Sequence, residues 1–161
     1  MLYFYHGQDT YRSRRAVHDI VDQFREKYGA DLRVHWFDAE DERVAGRMKE
    51  AFGSGSLFSA KSVVAVERLC ASNVLFERMR DMVSQSAGRK DILVILWEAG
   101  ITHETRRWAE VCEKAADHTQ EFEPLKGPAL ARWINKEAAT RGVELTDAMR
   151  SHVAVEGSDL W

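Results

Sequence analysis

The sequence has little cysteine, little proline and no long apolar run. Among its 161 residues there are two cysteines and two prolines. Cys70 and Cys112 lie far apart, and the chain lacks the basic, apolar start of a signal peptide, so reduced thiols are expected rather than a disulfide framework. No apolar stretch approaches the length of a membrane span. These features predict a cytoplasmic protein with no membrane partner.

The chain also lacks an excess of positive charge. Its formal net charge is -3, with 30% charged and 45% hydrophobic residues. That balance is typical of a globular protein rather than a disordered one. It carries no overall signature of a nucleic-acid or anionic-membrane binder. The length suits one domain of ordinary size with a small appendage.

Apolar runs alternate with helical stripes over the first three quarters of the chain. The predicted strands are residues 2–5, 32–37, 62–66 and 92–97, followed by a more polar edge strand at 119–122. Asp9 or Thr10 is the expected cap of the first helix, and Thr102 that of the helix after the fourth strand. Alternating strands and helices predict an α/β fold with a parallel sheet and right-handed crossovers. Strands this apolar are expected to be covered by helices on both faces.

The character of the chain changes at its prolines. Both lie within residues 124–128, which read as a stiff linker. Pro128 is suited to open a helix, and Thr146 is expected to cap another. We therefore expect residues 1–124 to form an α/β domain and residues 125–161 a small, truncated helical domain.

The first strand, turn and helix stand where a phosphate-binding loop would be. Such a loop needs the pattern G-x-x-x-x-G-K-[ST], whose glycines allow close backbone approach and whose lysine balances phosphate charge. Here Gly7 is followed by neither the second glycine nor the lysine, and Tyr11 adds bulk. The third strand ends in Glu67-Arg68 without an Asp-Glu pair for magnesium. This pattern predicts a nucleotide-binding architecture without nucleotide chemistry and with no catalytic residues.

Other chemistry is also missing from the sequence. No metal-ligand spacing occurs, and His6 is expected to be an ordinary strand-end histidine rather than a catalytic base. The acidic residues at 38–42 are interpreted as a solvated turn, and the alternative is a cation-binding site. Trp108 and Trp133 lie on helical core stripes, so packing is expected for them rather than base stacking. No metal and no cofactor are predicted.

A Gly/Ser break at residues 53–56 precedes two large apolar residues, Leu57 and Phe58. Loops usually lie on the surface. The pair therefore either folds back into the core or is presented to a partner. The spacing of Leu57 and Phe58 in the sequence by itself favours a core position over presentation to a partner.

Four short motifs occur in a characteristic order. They are LYFYHGQD at residues 2–9, Ser56-Leu57-Phe58 before VVAV at 63–66, EFEPL at 121–125 and GSDL at 157–160. In this order they resemble the delta subunit of the bacterial DNA polymerase III clamp loader.

The resemblance implies a RecA/AAA+-like parallel sheet flanked by helices, then a small helical lid domain, without ATPase activity. It also implies that Ser56, Leu57 and Phe58 bind the sliding clamp, with Leu57 and Phe58 entering a hydrophobic pocket, which reverses the preference for the core. Gly55 stands where a relative carries a larger apolar residue. The other implied partners are clamp-loader subunits, met through a C-terminal collar domain absent from this chain, and primed DNA within the complex. The alternatives are a P-loop-like hydrolase with a degenerate loop and a DNA-binding module.

Overall fold

The computed structural model describes residues 1–53 and 61–156. They contain a five-stranded sheet in the order β2-β3-β4-β1-β5, in which every neighbouring pair is parallel. The strands are β1 (Leu2–His6), β2 (Leu32–Asp38), β3 (Lys61–Glu67), β4 (Ile92–Glu98) and β5 (His118–Glu121). The helices are α1 (Thr10–Tyr28), α2 (Ala45–Gly53), α3 (Asn73–Ser86), α4 (Arg106–Ala115), α5 (Gly127–Thr140) and α6 (Asp147–Glu156). The predicted α/β fold with a parallel sheet is confirmed.

Helices pack on both faces of the sheet. One face carries α1, whose Val17 and Val21 join a cluster with strand residues such as Val63 and Ala65. The opposite face carries α2, α3 and α4, and its cluster includes the fully buried Met48 and Phe76. Successive residues of β3 alternate between the two clusters, as the period of a strand requires.

The two edge strands differ. All four residues of β5 are exposed, which confirms the prediction of a polar edge strand. At the other edge, only Phe37 of β2 is buried. Residues of β2 pack on both faces, with Phe37 in one cluster and Leu32 and Val34 against the other, but they are less buried than those of the inner strands because β2 lies at the end of the sheet.

Helix α1 begins and ends where its sequence predicts. The carboxylate of Asp9 accepts a hydrogen bond from the Arg12 amide at 2.9 Å, and Gly29, with φ 55°, follows the last helical residue. Thr102 does not cap α4, which begins at Arg106. Instead the Thr102 amide donates to Thr105 Oγ1 at 2.9 Å, because the two threonines close a turn before the helix.

After β5, α5 starts with proline in its first turn, and Thr146 Oγ1 accepts from the Met149 amide at 3.3 Å at the start of α6, as predicted. Helix α5 contacts α1 through polar and aromatic groups. Arg141 donates to the Tyr11 hydroxyl at 2.8 Å, and the Tyr11 and Trp133 rings meet edge to face at 5.7 Å. The domain boundary at residue 124 stays a prediction. Within the two described ranges, no helix has both the length and the apolar character needed to cross a membrane.

Candidate functional site

The turn between β1 and α1 is short and closed. Only Gly7, Gln8 and Asp9 separate the strand from the helix. Gly7 has φ 132°, and a Cβ atom there would lie 2.3 Å from the carbonyl oxygen of Phe122. Glycine is therefore required at this position by the approach of the chain that leaves β5. The contact with Phe122, and not room for a phosphate, accounts for glycine at position 7.

The amide groups of this turn already have partners. The Gly7 N–H donates to the Glu98 carbonyl at 3.2 Å, and the Asp9 N–H donates to the Phe122 carbonyl at 3.0 Å. In a phosphate-binding loop such N–H groups point at the ligand. Here the ends of β4 and β5 accept them, so the backbone presents no free cradle at Gly7 and Asp9.

A carboxylate of the protein itself occupies the amino end of α1. The Asp9 side chain is fully buried and accepts from the backbone and the guanidinium of Arg12, both at 2.9 Å. Negative charge is favourable at the positive end of the helix dipole. A second anion at this site would have to displace the Asp9 side chain or would be repelled by its negative charge.

An ion pair links α1 to the end of β3. Arg14 Nη2 lies 3.2 Å from Glu67 Oε2, and the Arg14 guanidinium stacks over the Trp97 ring at 4.7 Å. In the phosphate-binding pattern, an acidic pair at the end of this strand would hold magnesium. The single acid found here is paired with an arginine of the same chain.

The acidic turn after β2 is also engaged by arginines. Arg68, the only non-glycine residue with positive φ (60°) in the described ranges, donates through Nε to Asp38 at 3.0 Å. That hydrogen bond holds the pKa of the Asp38 carboxyl below its usual value. Asp41 forms a second pair, with Arg43 Nε at 2.7 Å. Three of the acids predicted to be solvated, Asp38, Glu40 and Asp41, therefore have ionic partners. In the described parts of the chain no group of three or more ligand side chains could hold a metal ion.

A polar cleft of about 780 Å³ opens beside the turn, at the carboxyl ends of β1, β4 and β5. His6 lines it, is only 7% exposed and has its Nε2 3.9 Å from Glu113. Burial lowers the pKa of His6, so the imidazole is neutral at pH 7. Arg106 and Glu121 also line the cleft, which therefore mixes both signs of charge around a neutral ring.

Sequence reasoning missed Glu98, a buried acid at the carboxyl end of β4. Glu98 is only 4% exposed. Its carboxylate accepts a hydrogen bond from the Cys70 amide at 2.8 Å. Burial raises the pKa of Glu98 to about 7. A hydrogen bond with Cys112 and burial raise the pKa of the Cys70 thiol. The available signal was a single charged residue closing an otherwise apolar strand, ILVILWE.

The predicted clamp-binding residues Ser56, Leu57 and Phe58, and the Gly/Ser break before them, lie outside the described residues. Phe52, near the end of α2, is buried, and its carbonyl accepts from Arg89 at 3.2 Å. Lys61 starts β3 opposite Leu32, at the amino edge of the sheet. The closed turn and the cleft lie at the opposite, carboxyl edge.

Solved structures share this architecture. The chain is similar to the ORC2 protein of Aeropyrum pernix in its ADPNP-ADP complexes, with TM-score 0.54, 10% identity and coverage of 86% of this chain and 45% of that chain. It is also similar to domain III of the replication initiation protein DnaA from Thermotoga maritima, with TM-score 0.56, 12% identity and coverage of 95% and 67%. The chain therefore shares the parallel α/β fold of these proteins.

The likeness extends to the fold alone at this level of identity. The ADP form of the ORC2 protein of Aeropyrum pernix matches with TM-score 0.54 and 11% identity, with coverage of 96% of this chain and 50% of that chain. No family model matches the chain. No curated protein matches it either.

Proposed function

We propose that this chain is a non-catalytic AAA+-like replication protein of the clamp-loader delta type, which binds the sliding clamp and helps to open its ring. The observation that carries the proposal is the closed turn between β1 and α1. Its Gly7 and Asp9 amides donate hydrogen bonds to backbone carbonyls of the same chain. The Asp9 carboxylate caps the amino end of α1. A AAA+-like scaffold whose phosphate site is filled by its own groups suits a role in binding.

The two ion pairs at the same edge support this proposal. Arg14 pairs with Glu67, and Arg68 pairs with Asp38, at the ends of strands that would otherwise face nucleotide and magnesium. Each pair is exposed enough to add little stability, at most about 1 kcal/mol. Their importance is chemical, because they neutralise the acids that a metal-nucleotide complex would require. A hydrolase with a degenerate loop is the less favoured function.

The clamp contact in this proposal is made by Leu57 and Phe58, with Ser56 beside them. Burying a leucine and a phenylalanine side chain contributes roughly 1.5–3 kcal/mol each. Two such residues are enough to form the hot spot of an interface. To open a closed ring, part of that binding energy must favour the open shape. Other clamp-loader subunits and primed DNA are the further partners that the proposal implies.

The test is a binding titration with the cognate sliding clamp. The double variant Leu57→Ala/Phe58→Ala should lose several kcal/mol of clamp binding and keep its melting temperature. A matched control is Val74→Ala/Met149→Ala, which removes two apolar side chains that are 49% and 51% exposed elsewhere on the surface. That control should bind the clamp like the wild type. Early melting of the Leu57/Phe58 variant with normal clamp binding by its folded fraction would show that the pair belongs to the core.

Nucleotide binding is tested separately by calorimetry with Mg-ATP. We expect no heat of binding at millimolar nucleotide, because the turn amides and the helix terminus are occupied. A clear one-site isotherm would favour the hydrolase alternative. Salt-dependent binding of the isolated chain to primed DNA would instead favour a DNA-binding module.

A further inference from the structure

The polar cleft at the carboxyl ends of β1, β4 and β5 has a buried histidine in its wall. The side chain of His6 is 9% exposed, and its Nε2 atom lies 3.9 Å from Glu113 Oε1, which is too long for a hydrogen bond. Neither ring nitrogen of His6 forms a hydrogen bond with a residue in the ranges 1–53 and 61–156. Buried polar groups are nearly always hydrogen-bonded in native proteins. The ring therefore has the capacity to bond to a ligand in the cleft.

Charged side chains of both signs line the same cleft. They are the cations Arg106 and Lys126 and the acids Glu113, Glu121 and Glu123. Among the described residues, the one ionic neighbour of any of these five side chains is His6, beside Glu113. Elsewhere on this edge of the sheet, Arg12, Arg14 and Arg68 are all paired with acids of the chain. The cleft thus gathers unpaired charges, whereas the rest of the edge is neutralised.

The charges are close enough to act on the His6 ring. Burial is the largest influence and lowers the pKa of His6, Glu121 and Glu113 oppose it, and Arg106 adds to the lowering. At pH 7 the ring is therefore neutral, with one nitrogen that donates a hydrogen bond and one that accepts. A neutral imidazole among acids and a cation can accept from an ammonium group or donate to a carboxylate.

We propose that this cleft binds a small zwitterionic ligand, a free α-amino acid or a dipeptide. Its ammonium group is held by Glu113 and Glu121 together with the His6 ring, and its carboxylate is held by Arg106. The cleft volume of about 780 Å³ lies within the usual range of small-molecule sites. The proposal goes beyond clamp binding and is independent of it, because it rests on other residues and another ligand.

Other classes of small ligand match these charges less well. A polyanion such as a nucleoside triphosphate would meet three glutamates, and a purely cationic ligand would meet Arg106 and Lys126. A metal ion alone lacks its ligands, since no group of three or more suitable side chains occurs in the part of the chain that the structure describes. A zwitterion gives each sign of charge in the cleft a partner of the opposite sign.

The first experiment is an NMR titration of the nitrogen-15-labelled full chain. The probes are the standard L-amino acids and glycylglycine, added singly up to about 10 mM. We expect at least one of them to shift the signals of the His6 ring and of cleft residues such as Gln8 and Thr119 in a saturable way. The tightest-binding amino acid is then compared with its α-amide, which lacks the carboxylate, and its N-acetyl derivative, which lacks the ammonium. Each derivative should bind about tenfold more weakly.

Two variants assign the two ends of the ligand. Arg106→Gln should weaken binding of the amino acid about tenfold and leave binding of its α-amide unchanged, because the α-amide has no carboxylate to lose a contact. Glu121→Gln should weaken the amino acid similarly and leave the N-acetyl derivative unchanged. Both side chains belong to exposed residues, so the melting temperature should stay that of the wild type.

The matched control is Arg107→Gln. Arg107 is the next residue of α4, its side chain is 76% exposed, and it does not line the cleft. This variant should bind the amino acid like the wild type.

Any of three results would overturn the proposal. One is the absence of saturable shifts in the cleft with every probe. Another is binding of the α-amide and the N-acetyl derivative as tight as that of the parent amino acid. The third is equal weakening by Arg106→Gln and Arg107→Gln, which would indicate a general effect of surface charge rather than a contact in the cleft.

Discussion

Glu98 offers a sharp test of the carboxyl edge of the sheet. Its pKa rises from 4.5 to about 7, chiefly because burial disfavours the charged carboxylate. The folded protein therefore keeps a proton on Glu98 in a pH range where the unfolded chain has lost it. The stabilisation from that proton is complete below pH 4.5 and is lost as the pH rises to about 7. The size of the shift corresponds to about 3 kcal/mol.

Glu98→Gln removes this titration and keeps much of the local structure. A glutamine oxygen can still accept the Cys70 amide, and the bond from Gly7 goes to the backbone carbonyl of residue 98. The variant and the wild type should differ little in free energy of unfolding at about pH 4.5. At about pH 8 the variant should be more stable by up to about 3 kcal/mol.

The assay is urea denaturation of both proteins at several pH values. His6, whose pKa burial lowers, titrates in both proteins, so the difference between them isolates Glu98. Glu110→Gln, at an exposed position of α4, controls for the loss of one carboxylate. A wild-type-minus-variant difference that stays constant across this pH range would refute the reasoning, because it would mean that the pKa of Glu98 is the same in the folded and the unfolded protein.

Three further predictions concern stability and are checked by denaturant unfolding. Gly7→Ala should destabilise the fold by more than about 1 kcal/mol, because the added Cβ meets the Phe122 carbonyl in a positive-φ turn; unchanged stability would mean that β5 can move away. Asp9→Ala should cost about 0.5–2 kcal/mol by removing the cap of α1, and Asp9→Asn should recover part of it. Phe76→Ala should cost about 3–5 kcal/mol, since this ring is fully buried and stacked on Trp108 at 4.4 Å; a smaller loss would indicate a core that closes around the cavity.

The predictions that came true rest on local chemistry. Continuous apolar runs indicated β3 and β4, and the stripe with Val17 and Val21 indicated α1. That the β1–α1 turn binds no nucleotide stays a prediction from the missing lysine and second glycine. Each of these signals lies within a few residues, where periodicity and backbone preference act directly.

One difference from expectation is local, and another depends on contacts between distant segments. Thr102 carries the side chain of a helix cap, but its bonds with Thr105 make a turn instead. The exposure of β2 depends on its place at the end of the sheet, and strand order is set by which faces pack together. Ser56, Leu57 and Phe58 stay a prediction from sequence.

By itself, the sequence determined which segments become strands and helices and which nucleotide-binding groups are missing. Only the tertiary structure decided what replaces those groups. The Gly7 and Asp9 amides meet acceptors at Glu98 and Phe122, about a hundred residues away in the chain. Those partners come within reach because parallel strands end at one edge of the sheet, and no local pattern encodes which strands lie side by side.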